Sequence, residues 1–152
     1  MASRSEHRPD ADARGKARQG ARSLADATAI DHPEAGFVAR FLDPSGVVDL
    51  DYVATKFQMT RPQLADTVGL ATATISKTDR RTAPRAQSRV REMLEVLARI
   101  HDWTGGETQS MAWYRSQPIP ALDGRTPEAL VKAGEAGAVR DYLDHLALGG
   151  FA

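Results

Sequence analysis

Between Pro84 and Gly105 the chain carries Val90, Met93, Leu94, Val96, Leu97, Ile100 and Trp103, apolar residues recurring every three or four positions. That spacing winds them into a broad stripe along one helix, from about Arg85 to Trp103, with Thr104-Gly105-Gly106 as its stop. The stripe is wider than one intramolecular core usually requires. It predicts a subunit interface; the other reading is a helix that joins two domains and packs on both.

No period-two run of β-branched residues persists anywhere, and Ala, Leu and Arg dominate the composition, residues that lose little on entering a helix. The fold class expected is all-α. There is no cysteine, so disulfides and thiolate metal sites are excluded and an intracellular setting is expected. No stretch approaches the roughly 20 apolar residues of a membrane span, and Met1 to Pro9 lacks the apolar segment of a signal peptide. A cytoplasmic location without membrane contact follows as the expectation.

The zero net charge is unevenly spread. Residues 1–22 carry six basic and three acidic side chains, residues 23–50 one and five, residues 51–91 eight and three, and residues 92–152 five and nine. A basic block between acidic ones is what a DNA-reading module inside a larger acidic protein would show.

The polar segment 1–34 is expected to be a disordered tail, the other reading being a basic arm that follows phosphates. Phe37, Val38, Phe41 and Leu42 fall at helical spacing, closed by the turn residues Asp43-Pro44-Ser45-Gly46, and Leu50, Val53 and Phe57 mark a second helix. Thr60 and Gln63 form a capping box for a third, with Pro62 in its first turn, running to Val68 and stopping at Gly69. A fourth helix is expected from Ala71 or Thr72 to about Arg80. After the long helix, helices are expected near residues 110–115, 127–133 and 136–148. The domains would then be 1–34, 35–103 and 104–152.

The run from Gln63 to Lys77 has the spacing that two steeply crossing helices need. Ala65 is small where they approach, Gly69 tolerates a positive φ at the turn, and Ile75 anchors the second helix on Leu64, Val68 and Leu70. This stretch resembles the Xre/Cro-type helix-turn-helix, whose second helix enters the major groove of DNA. The resemblance implies that Thr72, Ala73, Thr74, Ser76 and Lys77 face DNA, with Arg61, Arg80, Arg81 and Arg85 near phosphates. Two departures stand out: Thr78 replaces a more usual apolar residue, and Thr72 and Ala73 replace longer polar ones.

The C-terminal segment continues the same local chemistry. Asp123-Gly124 is a turn, Thr126 an N-cap, Pro127 a first helical residue and Gly134 a helix end, while Ala129, Leu130, Val139, Leu143 and Leu146 pack two short helices together. The series Trp113, Pro118, Pro120, Leu122, Gly124-Arg125-Thr126-Pro127, Leu130, Gly134, Val139, Leu143 and Gly149-Gly150-Phe151-Ala152 resembles the toxin-binding domain of the Xre/MbcA/ParS antitoxins. That resemblance implies an antitoxin whose partner is a RES-domain toxin acting on NAD. The antitoxin's end would block the toxin's cleft while the helix-turn-helix binds operator DNA and represses its own operon.

It further implies toxin-binding roles for Arg125, Tyr142, His145, Leu146, Gly149, Gly150, Phe151 and Ala152. Phe151, behind two glycines, would be an aromatic plug; the other reading packs it back on its own helices. Arg125 has a second reading as a partner of Glu128 or Glu135. A plain transcription regulator with a C-terminal oligomerisation or sensing domain is the rival class.

No catalysis, metal or cofactor is expected. His7, His32, His101 and His145 each lack metal-site spacing. Asp141, Asp144 and His145 are what one turn of a surface helix presents. No glycine loop has the form that cradles phosphate.

Overall fold

The computed structural model describes residues 33–149; residues 1–32 and the closing Gly150-Phe151-Ala152 lie outside the described part. The described residues are helical without strands, with two isolated backbone bridges, Leu42 with Val48 and Ile119 with Arg125. The elements are α1 Pro33–Ala39, α2 Leu50–Lys56, α3 Arg61–Thr67, α4 Thr72–Ser76, α5 Thr78–Arg81, α6 Pro84–Thr104 and α7 Glu107–Ser116. A short 3-10 turn at Pro120–Leu122 precedes α8 Pro127–Lys132 and α9 Ala136–Ala147.

Local chemistry sets these boundaries. Asp49 caps α2 by accepting from the Tyr52 amide, and Thr60 and Gln63 form both bonds of the capping box on α3. Thr126 accepts from the Ala129 amide at the start of α8, whose first residue is Pro127. Gly105 ends α6 in the left-handed region. The first helix opens at Pro33, two residues inside the segment expected to be a tail. Proline is preset for that position, and Glu34 of the first turn reaches Arg99 at 3.6 Å. The rest of the expected tail lies outside the described residues.

The long helix has the expected extent, but its stripe is used differently. Val90, Met93, Leu94, Val96, Leu97 and Ile100 are all buried within this chain, under α1, α7, α8 and α9. The expectation that the stripe's width signals a subunit interface therefore loses its ground, because four neighbouring helices cover the stripe. Trp103 alone departs from it, 56% exposed at the helix end. One apolar core runs from Phe37 through Leu64 and Ile75 to Leu143, so residues 35–103 and 104–149 share it without a break.

The expected fourth helix is two helices. Lys77 is extended (φ −88°, ψ 123°), separating Thr72–Ser76 from Thr78–Arg81. Thr72, Thr74, Ile75 and Ser76 are poor helix formers. The Arg81 guanidinium donates to the Ile75 carbonyl at 2.7 Å, taking the acceptor that a continuing helix would have paired with an amide one turn on.

Candidate nucleic-acid interface and partner-binding surface

Helices α3 and α4 pack across a tight turn, an arrangement consistent with the expected helix-turn-helix. Leu64, Ala65, Val68 and Ile75 are fully buried, and the turn closes with the Leu70 amide donating to Ala65 and the Gly69 amide to Asp66. Gly69 has a φ of +73°, and a Cβ there would stand 3.1 Å from the Lys132 Cα on α8. Glycine is needed twice over: for the turn, and for the close approach of a helix from the C-terminal third.

That approach is reinforced by polar contacts. Thr67 donates its hydroxyl to Glu128 at 2.6 Å, the buried Tyr114 hydroxyl of α7 donates to the Thr67 carbonyl at 2.8 Å, and Lys132 lies 3.6 Å from Asp66. Burial pushes the Tyr114 phenol far above its ordinary pKa, so it stays a neutral donor. The end of α3 is thereby bolted to α7 and α8.

The residues expected at DNA separate into two sets. Thr72, Ala73, Ser76, Lys77 and Arg80 are exposed along α4, the Lys77 joint and α5, with Thr74 partly covered. Arg81 instead works inside the fold. Its side chain is only 19% exposed, held between the Ile75 carbonyl and Asp51 of α2 at 2.8 Å. Arg61 is half exposed and pairs with the same Asp51 at 3.0 Å. Desolvation pushes the Asp51 carboxyl up, yet the hydrogen bonds from Arg61 and Arg81 outweigh it and hold its pKa below the ordinary value. One carboxylate thus ties α2, α3 and α5 together. Gln87 does similar work from α6: its amide accepts from the Val48 amide at 2.7 Å and donates to the carbonyls of Val48 and Arg81. Neither Asp51 nor Gln87 carries a sequence signal, since each acts only across elements that the fold brings together.

The residues expected at the toxin are also divided. His145 and Gly149 are exposed, while Tyr142 and Leu146 pack partly against the core on α9. Gly149 follows the helix in the left-handed region at φ +82°. Arg125 stands elsewhere. It pairs with Glu135 at 2.7 Å, just before α9, as its second reading held. Twelve residues separate Ala136 from Leu148 along the helix axis, about 18 Å, so Arg125 and Gly149 occupy opposite ends of α9. Gly150, Phe151 and Ala152 lie outside the described residues. Asp144 of the acidic cluster is paired with Arg99 at 2.7 Å, and no group of three metal-ligating side chains occurs among the described residues. None of the described helices is long and apolar enough to cross a membrane.

Residues 101–149 match the family model described as the antitoxin Xre/MbcA/ParS C-terminal toxin-binding domain. No curated protein matches the chain in sequence. Among solved structures, a chain of the crystal structure of the M. tuberculosis MbcT–MbcA toxin–antitoxin complex is similar at 21% identity and a TM-score of 0.47. The likeness covers 67% of this chain and 93% of that one.

Proposed function

We propose, from the match of residues 101–149 to the Xre/MbcA/ParS C-terminal toxin-binding domain, that this chain is an antitoxin that silences a RES-domain, NAD-using toxin by lodging its own C-terminal end in the toxin's cleft. The match over residues 101–149 carries this reading. Support comes from the way the chain leaves α9. Leu148 and the left-handed Gly149, the last described residues, are exposed. An aromatic side chain behind two glycines suits insertion into a concave site. Nothing in this role asks catalysis of the antitoxin itself.

The same chain would repress its operon through α3 and α4. Thr72, Ala73, Ser76 and Lys77 would meet the major groove, with Arg80, Arg85 and Arg61 at phosphates. Short side chains on a five-residue helix favour shape and backbone contacts over a rich base code. Two copies on a two-fold operator would have to pair through a face other than the stripe of α6.

Deleting residues 149–152 tests the central step. Rescue of cells from a RES-domain toxin encoded in the neighbouring reading frame, the partner this reading requires, should be lost while operator binding persists. Undiminished rescue would overturn the blocking model.

A further inference from the structure

Two contacts fix how α9 lies against α6: Glu95 bonds Arg140, and Arg99 bonds Asp144. Each pair is 45 residues apart, so the two helices run parallel with a constant register. The same offset sets Leu148 level with Trp103. Each lies one turn past the Arg99–Asp144 pair, and residues four apart share a helix face. These two are also the most exposed large apolar side chains among the described residues, at 88% and 56%. Two exposed apolar side chains, here called the Trp103–Leu148 seam, therefore stand at one level where both helices end.

We propose that the Trp103–Leu148 seam is a docking surface for the toxin, occupied by an apolar pocket rimmed with Arg or Lys. The proposal rests on the toxin-binding reading above, and adds to it a rigid surface distinct from the tail. Continuity with the assigned domain is the first support. Trp103 and Leu148 both lie within the segment matched to a toxin-binding domain, residues 101–149. Charge is the second. Two parallel helices end together there with their negative dipole ends, Asp102 is almost fully exposed beside Trp103, and Asp141 is exposed on α9. A cationic rim on the partner would complement them. A large aromatic beside an aliphatic residue, framed by charge, is the composition that dominates interface energetics.

The test compares full-length wild type, Trp103→Ala, Leu148→Ala, Asp102→Lys, Tyr52→Ala and a chain lacking residues 149–152, each titrated against the purified product of the neighbouring reading frame, which the toxin-binding reading requires to be the toxin. Tyr52 is the control, an exposed apolar residue outside the matched segment. Trp103→Ala and Leu148→Ala should each weaken toxin binding roughly tenfold or more, Asp102→Lys should weaken it with reduced salt dependence, and Tyr52→Ala should match wild type. Thermal stability should change little for Leu148→Ala and Asp102→Lys, whose side chains are exposed, while Tyr52→Ala should cost some stability because its ring packs on Phe41, so each affinity is compared at a temperature where the variant is folded. If wild type binds, the truncated chain fails, and both seam variants bind like wild type, the seam proposal is overturned while the tail reading survives. If wild type does not bind the toxin, both fall. If Trp103→Ala alters the oligomeric state and leaves toxin affinity alone, the seam belongs to a second copy of this chain and the proposal is likewise overturned.

Discussion

Gly69→Ala tests whether the helix-turn-helix and the C-terminal third are one packed object. The substitution forces an L side chain into the left-handed region, which costs about 1–2 kcal/mol. It also sets a methyl 3.1 Å from the Lys132 Cα and 3.3 Å from its Cβ and Cγ. The nearest atom is backbone of a helix that Tyr114, Thr67 and Glu128 hold in place, so relief requires moving α8. Overpacking of that kind costs a further ~1–3 kcal/mol. Reduced freedom of the unfolded chain returns about 0.4–1 kcal/mol. Gly46→Ala supplies the control, since Gly46 has φ +85° with nothing within 4 Å of its Cβ position. It bears the backbone cost alone. The difference between the two variants, about 1–3 kcal/mol, should separate their melting temperatures by roughly 4–12 °C for a domain of this size, read by circular dichroism. Equal melting temperatures would refute the claim that α8 presses on the turn.

Tyr114→Phe leaves the buried Thr67 carbonyl without its donor and should cost about 1–3 kcal/mol, visible as a lower denaturant midpoint at unchanged m-value. Replacing Lys77 and Arg80 with Ala should weaken operator binding and flatten the log–log salt dependence by about two units; an unchanged slope would mean that neither side chain meets phosphate. The Asp51 carboxyl is held below its ordinary pKa of 3.8, so its contribution to stability is full above that value and is lost as pH falls through the lower folded value. Stability should therefore drop below about pH 4, and Asp51→Asn, which loosens α2 from α3 and α5 at neutral pH, should show a smaller further loss on acidification than wild type.

How legible the fold was depended on whether a residue acts locally or across elements. The caps at Thr60 and Thr126, the stop at Gly105 and the anchors Ala65, Gly69 and Ile75 each act within a few residues, and all could be read from the chain. The break at Lys77 could not. It arises because Arg81 reaches back to the Ile75 carbonyl while Asp51 holds its other side, a triangle that exists only once α2 and α5 are neighbours. The width of the α6 stripe misled for a related reason. Width reports how much surface must be covered and says nothing of whether a second subunit or the chain's own α1, α7, α8 and α9 cover it. Arg81 was expected at the phosphates on charge and position, yet its side chain is turned inward. Arg125 was legible as one half of an ion pair, and the structure chose Glu135 over Glu128. The Trp103–Leu148 seam had no sequence signal, since the parallel register of α6 and α9 is a product of the packing.

Copurification with the product of the neighbouring reading frame, with native mass spectrometry for composition and NAD turnover for activity, is the decisive experiment. If this chain blocks a RES-domain toxin as proposed, the two form a complex of fixed stoichiometry whose NAD consumption is suppressed and returns when residues 149–152 are removed from this chain. Failure to form a complex, or full NAD turnover within it, would refute the blocking role.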